Sequence, residues 1–363
     1  MKRHLDHFFM ALIEWIFRRK SPALIVMRVG LACLTLAFGA GWMLGVSFPF
    51  RDGEMDLRFD SAGGTPVILV YCAFALGTLL LAGGFVWEVV RYRDEQRRLA
   101  RKKVIIIEAR GLRDTSGTPL TAAVPRSIEG HRDQVLIDLR QRVKDGVIVE
   151  PRAALEKLVS LPTDIERREN GLDRRDITYV YGGLAPVPLT FLTGVLMDDE
   201  GAIVVMDWDR HIENWRALDG DDDGQRFSII GLDAVSTDAT DVALTISVSY
   251  SVDVFGVRQK VGSIPVVEMV LASGSPDCHW SEGKQKALGQ QFLNTAIALG
   301  NQGVKRVHLF LAAQNTVAFR FGRLYDKRNL PEVTVYQYQR EVVPPYPWGI
   351  RMPVGGVSQP EVV

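Results

Sequence analysis

The chain has 363 residues, enough for two or three domains, and its 47% hydrophobic content can supply both a core and a membrane segment. Its 43 basic and 43 acidic residues balance overall but not locally: residues 1–103 hold 15 Lys and Arg against 9 Asp and Glu, and the remainder holds 28 against 34. The acidic remainder argues against a generic DNA-binding surface, and the unpaired spacing of Cys33, Cys72 and Cys278 leaves no disulfide framework or zinc site, which fits a reducing compartment.

Residues 1–21 place Leu5, Phe8, Phe9, Leu12, Ile13 and Ile16 at helical spacing, with His4, His7, Glu14 and Arg18 opposite. This pattern predicts an amphipathic helix in the membrane interface. A helix that lengthens the next segment across a kink at Ser21-Pro22 fits it nearly as well. Residues 22–90 predict a transmembrane hairpin. Its uncharged runs, 29–48 and 66–87, each have the roughly 20 residues needed to cross a bilayer. Basic residues precede the first run and follow the second, in the basic linker 91–103. The loop between the runs carries Arg51 and Arg58 against four acidic residues. The charge bias places both termini in the cytoplasm and the loop outside, with the chain a multi-pass membrane protein. No cleavage site follows the first run, so it does not read as a signal peptide. Cys33 reads as a small packing residue. Gly41 and Gly45 form a G-x-x-x-G that permits close helix packing, including contact between protomers.

After the linker, Val104–Ala109 reads as a strand, 113–126 as a loop, and Val135–Val143 and Ala153–Leu161 as helices. Residues 177–208 and 307–338 then echo one another at a spacing of 128 residues. With Gly194 set on Gly322, Val180-Tyr181 falls on His308-Leu309, Pro186 on Gln314, Leu196 on Leu324, and residues 205–208 on 333–336. Each copy reads as strand, small-residue turn, helix, strand, which predicts duplicated half-domains. Between the copies, Asp241–Val252 and Ile264–Ala272 read as strands and Gly283–Ala298 as a helix. The fold class is α/β, with helices on both faces of a sheet, over residues 104–356 and followed by a tail at 357–363.

The run HLFLAAQNTVAFRFGRLY, followed by VTVYQYQ, resembles the closing segment of SAVED domains. The match is good over 300–340 and weaker back to about 104. Gln314 stands where that family often has proline, whereas the first copy has Pro186. The resemblance implies two fused CARF-type Rossmann-like halves. A SAVED domain behind two spans is similar to the membrane effectors of bacterial CBASS anti-phage systems. That likeness implies several partners: a cyclic oligonucleotide, taken to be a cyclic tri- or tetranucleotide; membrane lipid; further copies of the chain; and a functional link to a nucleotide cyclase. It implies no cofactor and no catalysis.

The turns Gly182-Gly183-Leu184-Ala185-Pro186 and Ala312-Ala313-Gln314-Asn315 lie where strands end and helices begin, a position that suits phosphate. Gln314 and Asn315 suit a base edge or sugar hydroxyl. Tyr250, Trp280 and Tyr336 are candidate stacking partners, and Lys284, Lys286, Arg320 and Arg323 candidate phosphate partners. A different class of function rests on AIVVMDWDR, residues 202–210: a strand ending in Asp207-x-Asp209 is how magnesium-dependent phosphatases and transferases present carboxylates. Asp219–Gly224 starts like a calcium loop, but Ile230 stands where the bidentate Glu belongs, so an exposed acidic turn is expected.

Overall fold

Pro22 opens the first helix, α1 (Pro22–Phe38), at a position that needs no backbone N–H. Ser21 caps it, its Oγ accepting from Leu24 N at 3.1 Å and donating to Glu88 Oε2 at 2.9 Å. The computed structural model describes residues 21–38, 44–50, 53–59, 67–140, 143–144, 147–148, 150–169, 171–197, 201, 203–355 and 359–363, which divide into two compact units after Leu99.

In the first unit, β1 (Leu44–Phe50) and β2 (Gly53–Phe59) pair antiparallel, and α2 (Val67–Arg101) follows. The helices α1 and α2 run antiparallel along a seam of glycines. A Cβ on Gly30 would lie 2.8 Å from Gly77 O, one on Gly77 2.8 Å from Gly30 O, and one on Gly84 3.1 Å from Ala23 O. Among the described residues one helix, over Leu69–Arg98, is long and apolar enough to cross a membrane; Pro22–Ala37 is a shorter apolar helix.

Three expectations change here. The first apolar segment is helical from Pro22 to Phe38, not from 29 to 48. Gly45 lies in β1, so it has no place on a helical packing face, and Gly41 lies outside the described residues. The reason is local: Leu44–Phe50 alternates large apolar residues with Gly, Ser and Pro, which is strand periodicity, and Pro49 cannot sit inside a helix. The glycines that bring helices together are Gly30, Gly77 and Gly84. The expected linker 91–103 is mostly helix, because α2 runs to Arg101 on good helix formers. The expected amphipathic helix at 1–21 falls, but for Ser21, outside the described residues.

Among the described residues the second unit holds two large sheets of one design, beside a small antiparallel pair at 143–144 and 147–148. In the first half, β3 (Lys103–Arg110), β4 (His131–Asp138), α3 (Pro151–Val159), α4 (Leu161–Glu169), β5 (Ile177–Leu184), α5 (Val187–Leu196), β6 (Ile203–Asp209) and β7 (Asn214–Ala217) give the strand order β4-β3-β5-β6-β7. In the second, β8 (Phe227–Ile230), β9 (Asp241–Ser247), α6 (Val254–Val261), β10 (Val266–Leu271), α7 (Glu282–Asn301), β11 (Arg306–Ala312), α8 (Asn315–Arg323), β12 (Glu332–Gln337), β13 (Trp348–Arg351) and β14 (Glu361–Val362) give β8-β10-β9-β11-β12-β13-β14. The core of each sheet is four parallel strands in the same order, with an antiparallel fifth. That shared order bears out the duplication.

Residues 135–138, expected as helix, belong to β4, which runs parallel to β3 with Lys103 opposite His131. Val135 and Ile137 alternate with exposed Leu136, a period-two edge strand interrupted by one apolar residue. The expected tail contributes β14, whose Glu361 pairs with Arg351.

The halves meet at α5 and α8. A Cβ on Gly194 would lie 2.8 Å from Arg323 N and would overlap the carbonyl oxygen of Phe319; one on Gly322 would overlap that of Phe191. The two glycines that align in the sequence echo are therefore the crossing point of the two equivalent helices. Around it, Tyr181 stacks on Phe319 at 3.7 Å, Phe292 on Phe321 at 4.9 Å, and Phe191 meets Phe292 edge-on.

At the other end of the second sheet, Arg306 Nε donates to Asp241 Oδ1 at 2.6 Å, and this bond holds the Asp241 carboxyl down at about 2. A carboxylate depressed in the folded state stabilises it above the ordinary value of 3.8, and that contribution is lost as pH falls toward 2. Asp241→Asn is therefore expected to flatten the fall in melting temperature across this acid range. An unchanged slope would show that Asp241 does not carry it.

Candidate ligand-binding cleft

In each half the chain leaves the central strand, β3 or β9, pairs a strand on one side and then returns to the other with β5 or β11. Open α/β sheets take ligands at the carboxyl ends of strands beside such a reversal. A cleft of about 190 Å³ lies there, walled by the strand ends of both halves. The first half supplies Leu184, at the end of β5, with Asp207, Trp208 and Arg210 from β6 and just beyond. The second supplies Ser249, Tyr250, Pro276, Asp277 and His279 from loops, and Ala313, Gln314 and Asn315 from the turn into α8.

The two repeated turns touch. Asn315 Oδ1 accepts from Ala185 N at 3.2 Å and from Thr190 Oγ1 at 2.9 Å, so its carboxamide oxygen is spent on clamping one turn to the other. Gln314 Nε2 donates to the carbonyl oxygens of Ser275 (2.8 Å) and Pro276 (2.9 Å). Those bonds fix which end of the amide is nitrogen. Its Oε1 is buried without a partner.

Asp207 is 4% exposed and His279 5%. Asp207 Oδ1 accepts from Trp208 N at 2.8 Å, and Oδ2 accepts from Thr316 Oγ1 at 2.9 Å. Behind them, Gln285 Nε2 donates to Thr316 Oγ1 at 2.9 Å and to His279 O at 2.7 Å. His279 Nε2 is 3.0 Å from Asp207 Oδ2, but the ring is turned out of line, and neither ring nitrogen makes a hydrogen bond. The cleft thus contains buried polar atoms with unused capacity, an exposed guanidinium at Arg210 and an exposed ring at Tyr250.

Of the residues expected at a ligand, Leu184, Tyr250, Ala313, Gln314 and Asn315 line the cleft. The others do not, each for a visible reason. Gly182 and Gly183 lie inside β5, where a Cβ would crowd Trp215 at 2.9 Å or Ala109 at 3.3 Å; they are packing glycines. Pro186 caps α5. Trp280 packs on His279 and under the Arg216 guanidinium, 4.7 Å from its ring centre. Lys284 is buried and paired with Asp223 at 2.7 Å. Arg320 is half-buried, its Nε donating to Gln285 Oε1 at 3.3 Å; burial lowers its guanidinium from the ordinary value. Tyr336 belongs to the core, stacked on Phe310 with its hydroxyl 2.9 Å from His308 Nδ1. Lys286 pairs with Glu282 at 2.8 Å, and Arg323 donates to Met197 O at 3.2 Å.

Asp207 and Asp209 serve different neighbours, since Asp209 accepts from His211 N at 2.8 Å. Among the described residues no group of three or more His, Cys, Asp or Glu side chains could hold a metal. In the acidic turn, Asp222 pairs with Arg226 and Asp223 with Lys284.

Against known proteins, the chain matches two family models. The SAVED-fused 2TM effector domain matches residues 2–155, and the SAVED model, the SMODS-associated and fused to various effectors sensor domain, matches 161–352. No curated protein matches. Similar solved structures include the Acinetobacter baumannii Cap4 SAVED/CARF-domain containing receptor with the cyclic trinucleotide 3'3'3'-cAAA, at 14% identity and a TM-score of 0.45. The same receptor with 2'3'3'-cAAA gives 11% and 0.44, and the Moraxella osloensis Cap4 receptor 12% and 0.44. Each comparison covers 79% of this chain and 59% of the other, so the chain spans less than two thirds of their length. The SAVED match takes in more than half of the residues, and the chain belongs to the SAVED family, with its sensor domain preceded by a 2TM effector domain.

Proposed function

We propose that this chain is an inner-membrane sensor and effector of a CBASS-type anti-phage system. A cyclic oligonucleotide made by a partner cyclase enters the cleft, copies of the chain assemble around it, and the two apolar helices breach the membrane in abortive infection. Both termini face the cytoplasm, where the ligand is made. The observation that carries the reading is the convergence of both repeated turns on one cleft that retains buried, unpaired polar atoms. Such atoms are costly unless a ligand completes them.

The chemistry suits one nucleotide of a larger ring. At about 190 Å³ the cleft is smaller than the roughly 300–1,000 Å³ typical of small-molecule sites, so the rest of a tri- or tetranucleotide lies outside it, open to a second copy. Tyr250 offers a stacking face, Arg210 a phosphate partner, and Gln314 Oε1 an acceptor for an amine or hydroxyl.

Full-length protein in detergent, titrated by calorimetry with cyclic tri- and tetranucleotides, is expected to bind at least one of them. Gln314→Met removes the acceptor at similar volume, together with the amide nitrogen that holds the Ser275 and Pro276 carbonyls, and is expected to weaken that ligand by about tenfold or more. Absence of binding across the panel would sink the sensor reading. A phosphoesterase activity abolished by Asp207→Asn would replace it.

A further inference from the structure

The helix α1 begins at Pro22, ahead of the uncharged run at 29–48, and so takes in one charge: Arg28 is its seventh residue, about 9 Å along the axis from its start. The seam that α1 presents to α2 is built from Ala23, Met27, Gly30 and Leu34, beside Gly77 and Gly84. These four recur at i, i+4, i+7 and i+11, one face of a helix. Arg28 falls on the outer side with Leu31 and Thr35, at i+3 and i+7, and all three are exposed.

The pair of helices offers this guanidinium no partner. Among the described residues it makes no hydrogen bond and no ion pair. The threonines of the two helices satisfy themselves, Thr35 on Ala32 O and Thr78 on Phe74 O, both at 2.8 Å. A guanidinium has five donors and a full charge, which helix carbonyls engaged in their own bonds do not satisfy. Neither α1 nor residues 67–87 of α2 hold a carboxylate. Glu88, the first beyond them, lies on the seam side, held by Ser21 at 2.9 Å and Arg91 at 3.3 Å.

We propose that Arg28 is a phospholipid site: its guanidinium takes the phosphate of a headgroup in the leaflet where α1 begins, and this contact sets the depth of α1. The inference rests on the membrane reading given above. Side chains on a helix lean toward its N-terminus, so Arg28 leans back toward Pro22 and the Ser21–Glu88 level, out of the hydrocarbon. Long basic side chains lay their stems along apolar surface and keep their heads at the polar boundary in this way. The anion waiting at that boundary is phosphate, which a guanidinium grips with two parallel N–H···O bonds where an ammonium offers a point charge. The contact matters because α1 is short. Its 17 residues rise about 26 Å against a hydrocarbon core of roughly 30 Å, so its apolar side chains alone favour neither leaflet. A charge nearer one end supplies the preference. The rival occupant, a carboxylate of a second copy, would have to come from outside the apolar helices, which carry none.

The test uses the full chain in mild detergent, with native mass spectrometry counting the lipid retained as phosphatidylglycerol or phosphatidylethanolamine is titrated in. Arg28→Leu is expected to weaken the tightest-bound phospholipid several-fold, with Arg28→Lys between it and the parent. Digalactosyldiacylglycerol, which has the tails but no phosphate, is expected to bind all three alike. Depth is read in phosphatidylethanolamine–phosphatidylglycerol vesicles from a fluorophore on Ile25→Cys, with Cys33, Cys72 and Cys278 changed to serine. Adding Arg28→Leu should lower its quenching by iodide several-fold, because the helix start sinks from the surface. Equal phospholipid retention by the parent and Arg28→Leu, or an equal loss of the galactolipid, overturns the site and leaves the anchor intact. Unchanged quenching overturns its control of depth. An effect of Arg28→Leu seen only at densities where copies meet, or one reproduced by Asp6→Asn with Glu14→Gln, assigns the partner to a carboxylate and overturns the lipid site. Failure of the chain to partition into vesicles at all overturns the membrane reading, and the site with it.

Discussion

Gly322→Val is expected to leave residues 100–363 unfolded. A Cβ at this position would overlap the Phe191 carbonyl oxygen, and the matching atom at Gly194 would overlap that of Phe319. Overpacking where side chains can yield costs about 1–3 kcal/mol. Here the obstacle is helix backbone, held by its own hydrogen bonds and by the stacked rings of Tyr181, Phe319, Phe292 and Phe321. The cost should therefore be about 3 kcal/mol or more, a large share of the ~5–15 kcal/mol that holds a domain folded. Gly322→Ala is the milder form, and Gly117→Ala, where nothing lies within 4 Å of the added carbon, is the control. Melting followed by near-ultraviolet circular dichroism should show Gly322→Ala far below the parent and Gly117→Ala beside it. If the two coincide, the halves do not meet backbone to backbone.

The crossing also explains why so much of this fold is legible in the sequence. A duplication repeats whatever its geometry demands, and two equivalent helices that touch at their midpoints demand a small residue in each. Gly194 and Gly322 therefore align across 128 residues of sequence, and the same two positions touch in space. The turns are legible because strand, small residues and helix follow each other along the chain, and Leu184, Ala313, Gln314 and Asn315 do wall the cleft. Arg210 and His279 are not legible as its lining, because the loops after β6 and β10 reach the cleft only through tertiary packing; Asp207, in β6 itself, reads from sequence only as half of an Asp-x-Asp pair. Lys284 and Arg320 look like phosphate partners for the opposite reason. Sequence shows a cation but not its neighbours, and a buried cation requires a partner of its own, which Asp223 and Gln285 provide. At the N-terminus, counting uncharged residues hides a change of period: Val29–Phe48 has the right length for a span, yet its last five residues alternate as a strand. The family boundaries add a related point. The 2TM match extends to residue 155 and so takes in β3 and β4, which pair within the sheet of the sensor's first half. Effector and sensor are therefore not separable at the family boundary without opening that sheet.

Membrane damage is expected to fall to background in Gly77→Leu while affinity for the cyclic oligonucleotide stays at the parent value. Lipid tails are as apolar as leucine, so no hydrophobic force drives helices together inside a bilayer; close packing must do it. At Gly77 an added carbon would lie 2.8 Å from Gly30 O and 2.9 Å from the Leu34 side chain, and leucine holds the two backbones apart. The consequence is largest for α1. Its 17 residues rise about 26 Å, less than the roughly 30 Å hydrocarbon core, so without its seam against α2 it has little to keep it across the bilayer. The cleft is built from residues 184–315, none of them in the helical pair, which is why binding should not change. Dye entry into cells that make the ligand reports the damage, and calorimetry on full-length protein reports the affinity. A chain lacking residues 1–90 sets the background for dye entry. If Gly77→Leu admits dye as fast as the parent, the α1–α2 seam is not part of the output. If the chain without residues 1–90 also kills, the membrane is not the target.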